Sequence, residues 1–434
     1  MSKIIGTVYK IKFVMKLSNL FFLFLPFVLI TLSCKKDNPV QSCTTCIDCK
    51  EGDGISAPKC VWKQNLSQEL VTSVKPLMYK DLLITSKRRT GDTEFIQFFN
   101  KNTGEKLGEW SDYGGGDAPD IINRQYSMYI YDNILVVCTG TRLYGVDTTT
   151  FKTVWTSRTG TNGGYGNIDG LFDKTYHATN GATEEILNIY EGSIKTGKYR
   201  KIKTLTCPDT TKLVLARLIP FVQGSDTFAL LAHNYYSYPS NTTKSYFTLL
   251  NISQNKTVYE RGISVDYIDK QIGGLWADPV IRKGIMHYSG FDANYAFDMM
   301  TGKLVWRTAL TKHASCPMVG GDPAIGDDFL YVSTEDGFVR CYDPANGNEL
   351  WKTEVPVSID PLLYDNGFLF FRGAASKIKV LDTKAKKIKW DYKLNATIKD
   401  DNRFPLTFIV PDPATGRFYT TDFKDIYCFD KPQR

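Results

Sequence analysis

The sequence predicts an all-β fold: an eight-bladed propeller of four-stranded antiparallel blades, closed into a ring by pairing the N- and C-terminal strands. Three observations predict it. First, residues 329–351 read as three strands joined by two tight turns. Phe329 to Thr334 is strand-like, Asp336-Gly337 is a two-residue hairpin signal, and Phe338 to Tyr342 is the next strand. Asp343 to Gly347 is then a turn, in which Asp bonds its own downstream backbone and Gly takes the left-handed position, and Trp351 falls on a third strand. Second, this unit recurs. A polar turn residue stands eight positions before an aromatic at Asp147/Trp155, Glu191/Tyr199, Asn251/Tyr259, Asp298/Trp306, Asp343/Trp351 and Asp382/Trp390, and Asn100/Trp110 is the same with two extra residues. Most neighbouring aromatics are 39 to 48 residues apart, a period that means four-stranded blades. Third, the two ends of the chain are complementary fragments. Asp430 opens a copy that runs out of chain, and Trp62 is an aromatic with no turn before it. Joined, they make the eighth unit.

In chain order, residues 1–33 are a signal peptide. Lys3, Lys10, Lys12 and Lys16 precede the apolar run Phe21 to Leu32, which is too short to span a membrane and contains Pro26. Thr31-Leu32-Ser33-Cys34 resembles a bacterial lipobox, with Thr31 where Leu is usual. That resemblance implies lipidation at Cys34, and several acyl chains on one Cys anchor stably where one would not. The expected placement is an exported, outer-membrane-anchored lipoprotein that touches the membrane by its lipid alone. Removing the four signal-peptide lysines leaves 49 basic against 46 acidic residues, so charge indicates no nucleic-acid partner and no basic stripe stands out.

Cys34 begins a tether to residue 59, rich in polar residues, Gly and Pro. It holds Cys43, Cys46 and Cys49, with Cys60 just beyond. Four thiols could bind zinc or an iron–sulfur cluster, but an oxidising compartment favours disulfides, whose pairing stays open.

Residues 60–434 form the propeller. Leu77 to Tyr79, Leu82 to Thr85, Phe95 to Phe99 and the strand of Trp110 make the first complete blade; Ser127 to Tyr131 opens the second. Asp278-Pro279, Asp322-Pro323 and Asp360-Pro361 lead into later inner strands, where Pro costs no ladder donor. These three Asp are read as turn caps or as a carboxylate ring at the channel mouth. The unit from Tyr199 to Tyr259 is 60 residues long and carries an insertion. Its loop His233 to Lys244 holds Tyr235, Tyr236 and Tyr238, which could stack on a sugar or a partner's side chain or simply form a hairpin tip. With Ser111 to Asp120 and Thr159 to Gly166 it marks one elaborated face of the ring, the expected partner or ligand face. Cys341 and Cys428 precede repeat turns by two residues and read as inert core residues facing a Trp. The four histidines, His177, His233, His287 and His313, are scattered over the blades and form no triad.

Ala296, Asp298, Thr301, Gly302 and Trp306 match the Ala-x-Asp-x-x-Thr-Gly-x-x-x-Trp signature of the pyrroloquinoline-quinone-type propeller repeat. The chain resembles that family from about residue 60 to its end, and the eight aromatics Trp62, Trp110, Trp155, Tyr199, Tyr259, Trp306, Trp351 and Trp390 are its docking residues. Quinoprotein dehydrogenases of the family imply an oxidoreductase with pyrroloquinoline quinone and calcium over the channel. They carry an adjacent Cys-Cys pair that this chain lacks. The non-enzymatic member that the chain resembles in architecture and anchor is the propeller lipoprotein of the outer-membrane β-barrel assembly machinery. The expectation is therefore a monomeric scaffold without cofactor or metal that binds an envelope protein. A glycan-binding surface lipoprotein and the quinoprotein enzyme are the alternatives.

Overall fold

A computed structural model describes residues 58–433 apart from 66–74, 89–93, 114–126, 140–141, 160–165, 181–184, 207–210, 238–241, 264–277, 291–292, 311–321, 335–336, 356–360, 374–376, 394–408 and 422–424. Regular structure in the described residues is strand throughout, thirty-two strands in eight four-stranded antiparallel sheets. Strand β1 (Cys60–Asn65) precedes blade 1, which comprises β2 (Leu77–Tyr79), β3 (Leu82–Arg88), β4 (Glu94–Asn100) and β5 (Lys106–Trp110). Blade 2 is β6 (Met128–Tyr131), β7 (Ile134–Cys138), β8 (Arg142–Asp147) and β9 (Lys152–Arg158). Blade 3 is β10 (Gly166–Leu171), β11 (Lys174–Asn180), β12 (Ile186–Ser193) and β13 (Tyr199–Thr206). Blade 4 is β14 (Thr211–Gln223), β15 (Asp226–Ser237), β16 (Thr242–Asn251) and β17 (Lys256–Ile263). Blade 5 is β18 (Val280–Arg282), β19 (Ile285–Ser289), β20 (Ala293–Asp298) and β21 (Leu304–Ala309). Blade 6 is β22 (Ala324–Gly326), β23 (Phe329–Thr334), β24 (Phe338–Tyr342) and β25 (Glu349–Glu354). Blade 7 is β26 (Leu363–Asp365), β27 (Phe368–Gly373), β28 (Lys377–Asp382) and β29 (Lys387–Lys393). Blade 8 is β30 (Ile409–Asp412), β31 (Arg417–Thr421), β32 (Asp425–Asp430) and β1.

Ring closure is as the sequence predicts. β1 pairs antiparallel with β32, Trp62 opposite Cys428 and Cys60 opposite Phe429. The pairing removes the two unsatisfied edges that the terminal fragments would otherwise carry. Asn65 donates to Asp425 at 2.8 Å and the Lys63 ammonium lies 2.9 Å from the same carboxylate.

The repeat turn is built by its first residue. The Asp298 carboxylate accepts from the Thr301 hydroxyl and N–H, both at 2.8 Å, and from the Met300 N–H at 3.1 Å, which holds its pKa below the usual carboxylate value. Asp147, Asp343, Asp382 and Asn100 accept from the backbone two residues on in the same way. The fifth turn residue is left-handed, as at Gly302 (φ 65) and Gly347 (φ 74), and Phe151, Asn255 and Lys386 take the same sign of φ without being Gly.

Each outer strand then carries one β-bulge. In blade 5 the register shifts between Ala296 and Phe297, so Val305 has no partner and is 48% exposed. Leu107, Val154, Val258 and Leu350 are the equivalent exposed residues of blades 1, 2, 4 and 6. The skipped residue adds twist, and the aromatic that follows turns onto the next blade. The core lies between blades. Phe247, Leu249, Met286 and Phe297, for example, form one cluster from blades 4 and 5.

The 60-residue unit is accommodated by lengthening strands. β14, β15 and β16 run for 13, 12 and 10 residues, and β14 stays paired with β15 to Thr211/Ser237 across a register shift between Leu215 and Arg217. The predicted loop His233 to Lys244 is therefore mostly a hairpin extension of blade 4. Cys34, Cys43, Cys46, Cys49 and His313, and most of the Ser111 and Thr159 loops, lie outside the described residues.

Candidate functional site: a charged channel and the blade junctions

Five inner-strand positions converge on the channel. Lys75 and Pro76 lead into β2 of blade 1, as Asp278-Pro279 and Asp322-Pro323 lead into β18 and β22 of blades 5 and 6. Asp169 lies on β10 and Arg217 on β14. The Arg217 guanidinium reaches the Asp169 carboxylate at 2.9 Å and Asp278 at 3.8 Å. The Asp278 N–H donates to the Asp322 carboxylate at 2.6 Å, and the Leu362 N–H donates to the Asp322 carbonyl at 3.2 Å. Asp322 thus staples the inner strands of three consecutive blades, which is neither a local turn cap nor an open carboxylate ring.

Charge crosses the channel. Blade 1 stands opposite blade 5 in a ring of eight, yet Lys75 is within electrostatic reach of Asp278, Arg217 and Asp322. Burial pushes the Asp278 carboxyl well above its ordinary pKa, the Asp322 carboxylate adds to the rise, and Lys75 opposes it. The Asp278 side chain is 25% exposed, reachable by water yet hemmed in by protein. Burial also raises Asp169 despite its bond to Arg217, and lowers Arg217 and Lys75. Burial makes each charged form costly here, and the opposite charges that face it offset part of that cost. A quinone with calcium over this channel would need donors free to turn toward it. Arg217, Asp169, Asp278 and Asp322 are committed to one another, so this donor set does not fit that cofactor. Among the described residues no three His, Cys, Asp or Glu side chains are grouped to hold a metal.

The predicted ligand face is brought together only in part. Asp278 and Asp322 meet in the channel, while Asp360 and Tyr238 lie outside the described residues. Tyr235 is buried, its ring edge-on to Tyr246 at 4.8 Å and to His233 at 5.1 Å, so it is a core residue and offers no stacking platform. Tyr236 lies on β15, paired with Lys212 and Thr243. The three described histidines are buried. Burial lowers the pKa of His233 and of His287 to about 4. Cys341 and Cys428 are buried opposite Trp351 and Trp62, and burial pushes both thiols up to about 12, inert as expected.

Seven of the eight predicted aromatics face the following blade. Trp62, Trp155 and Trp306 donate from Nε1 to the carbonyls of Lys101, Ile194 and Pro344 at 3.0, 2.7 and 2.8 Å, and the Tyr259 hydroxyl donates to Met299 at 2.8 Å. Each acceptor is the second residue of the next blade's turn. The turn glycine lies under the ring. A Cβ on Gly104, Gly197, Gly302 or Gly347 would fall 2.6, 2.4, 2.8 or 2.5 Å from it. Trp110 donates instead to Thr153, Trp351 carries the Lys386 ammonium over its face, and Trp390 packs on Phe418.

Tyr199 is the exception and corrects the sequence reading. The blade 3 turn begins at Ser193, whose carbonyl accepts from the Gly197 N–H, and Glu191 is a strand residue. The bulge falls two residues late, at Ile202 between the Ile189 and Tyr190 pairs. Tyr199 therefore pairs with Gly192 and faces back toward blade 2, with its ring 6.2 Å from Trp155 and its hydroxyl 2.6 Å from Thr175. Arg200, paired with Glu191, faces blade 4 in its place. Thr196-Gly197, the counterpart of Thr301-Gly302, is the signal that would have set the register.

Eight blades of this repeat, joined by ring-on-turn contacts, define the pyrroloquinoline-quinone-like propeller class. Within it, the sequence profile of the family described as outer membrane protein assembly factor BamB matches residues 55–192 and 290–404, more than half of the chain, and the chain belongs to that family. BamB of Nitrosomonas eutropha is 28% identical over 117 residues, which span 26% of this chain and only 27% of that relative's length. The crystal structure of BamB from Moraxella catarrhalis superposes with a TM-score of 0.58 at 13% identity, covering 86% of this chain and 100% of that one. A europium-containing methanol dehydrogenase superposes at 0.59 with 11% identity, over 86% of this chain and 93% of its own. At these identities the structural likeness is one of fold.

Proposed function

We propose that the protein is a non-enzymatic, lipid-anchored scaffold of the cell envelope that binds a protein partner through the faces of its ring. The family match carries this reading, since the family is described by an assembly factor of the outer membrane. The paired charges of the channel support it, because they leave recognition to the outer surfaces. The anchor rests on the sequence around Cys34.

Two measurements test the proposal. Cys34→Ala should move the protein from the membrane pellet to the soluble fraction at high salt; a variant that still pellets removes the lipid anchor. Cross-linking and affinity capture from detergent-solubilised envelope should recover a defined protein partner. Dehydrogenase activity appearing after addition of pyrroloquinoline quinone and calcium would overturn the non-enzymatic reading.

A further inference from the structure

The seam between blades 3 and 4 is the one junction that no predicted aromatic fills. With Tyr199 turned away, Arg200 and Glu191 occupy the places held at the blade 5–6 junction by Trp306 and Ala296. A cavity of about 260 Å³ opens there, between β13 and the β16–β17 turn.

Its lining is strongly basic. Lys174, Arg200, Lys201, Lys203 and Lys256 line it, with Glu191 as the one carboxylate. That carboxylate is already neutralised, bonded to Lys174 at 3.0 Å and to the Arg200 Nε at 2.9 Å. Burial pushes the Glu191 carboxyl upward, but these two cations outweigh it and hold its pKa below the usual value. Lys201, Lys203 and Lys256 remain, and among the described residues none of them has an ion pair. Like charges around one concavity favour an anion that enters it. The sequence expectation of no basic stripe fails at this point, because Arg200, Lys201 and Lys203 on β13 meet cations distant in the chain.

Two features select the kind of anion. The cavity is smaller than ordinary small-molecule pockets and has room for one or two carboxylate side chains. On the blade 4 side Asn251 is engaged with Asp226 and the Gln254 N–H and Ser253 with the Thr227 N–H, so recognition falls to the cations. The family match stops at residue 192 and resumes at 290, so β13 and all of blade 4 lie outside it.

We propose that the seam between blades 3 and 4 binds an acidic segment of a protein partner, with Glu and Asp side chains entering between Arg200, Lys203 and Lys256. This assignment rests on the scaffold reading and adds a partner chemistry to it. The test uses the whole exported domain and a fluorescein-labelled Gly-Glu-Asp-Glu-Asp-Gly peptide, read by anisotropy. Binding should weaken roughly tenfold or more in K203E/K256E, and with added salt. If that variant melts early, K203Q/K256Q with an unchanged melt replaces it. Equal binding by wild type and variant, or by the Gln/Asn version of the peptide, overturns the proposal. So does a preference for polyphosphate or for phosphatidylglycerol vesicles, which would make the seam a phosphate or membrane site. Affinity capture separates the two readings. A variant that recovers every wild-type partner sinks the seam and leaves the scaffold. A wild type that binds the peptide but recovers no partner sinks the scaffold.

Discussion

Gly347→Ala tests whether the ring-on-turn contact holds neighbouring blades together. Gly347 has φ 74, and a Cβ there would lie 2.5 Å from the Trp306 ring and 2.6 Å from the Thr308 hydroxyl. That hydroxyl donates to the Gly347 carbonyl, and the ring donates to Pro344 at 2.8 Å. Gly224→Ala is the matched control, since φ is 62 and nothing lies within 4 Å of its added Cβ. Both substitutions carry the left-handed cost of about 1–2 kcal/mol and the opposing gain of about 0.4–1 kcal/mol from a stiffer unfolded chain. Only Gly347→Ala displaces a packed ring, which costs about 1–3 kcal/mol, and weakens a hydrogen bond worth about 1 kcal/mol. Urea denaturation should therefore find it about 2–4 kcal/mol more destabilising than Gly224→Ala. In a Trp306→Ala background the excess should shrink to the part that comes from the Thr308 hydroxyl, because no ring remains to displace. Equal destabilisation at the two glycines, or an excess that is undiminished without Trp306, refutes the contact as the source of junction stability.

Three further outcomes are expected. Trp306→Ala should cost about 3–5 kcal/mol, while Val305→Ala, at the exposed bulge beside it, stays within about 0.5 kcal/mol; similar melting shifts at both would contradict the bulge assignment. Removing residues 425–434 takes away β32, which leaves β1 without a partner and opens one edge of β31, so the truncated ring should lose its cooperative melt and resist protease poorly; an unchanged melt speaks against terminal closure. The folded state holds the Asp278 proton more tightly than the unfolded chain, so this group's contribution falls as pH rises above about 4, the unfolded carboxylate value. Asp278→Asn should accordingly gain on the wild type from about pH 4 upward, and urea titrations showing the reverse trend would place the channel charges differently.

The ring was legible because its signals are local. An Asp that must bond its own turn and an aromatic at fixed distance recur whatever the rest of the blade does, and closure follows from two fragments each lacking what the other has. Blade 3 was misread by the same rule. Glu191 fits the spacing to Tyr199, but a bulge two residues late reverses which face a side chain takes, and register shifts leave no mark on spacing. Tyr235 looked like an exposed loop aromatic because the insertion reads as a loop; it is strand, and alternation buries the ring. The channel cluster was half visible. Asp278 and Asp322 share a Pro signature that Lys75-Pro76 repeats, whereas Asp169 and Arg217 join them only through curvature that brings blades 3 and 4 to a common axis. The basic seam shows partly as Arg200-Lys201-Ile202-Lys203, but its meaning depends on Lys174 and Lys256 and on a missing ring.

The pairing of β1 with β32 also sets an order of events. Asn65 and Asp425 are 360 residues apart, and a chain made from its N-terminus offers β1 first and its partner almost last. Until then the first strand presents an open ladder with Trp62 beside it, and seven blades can assemble while the ring stays incomplete. During that interval the strand accepts any β32 that reaches it, including one from a neighbouring molecule. Two chains that traded first strands would satisfy every backbone pair of the closed monomer, so the junction that finishes the ring would also be the hinge of any domain-swapped dimer. A tether that holds molecules apart on a surface during folding would favour closure within one chain over exchange between two.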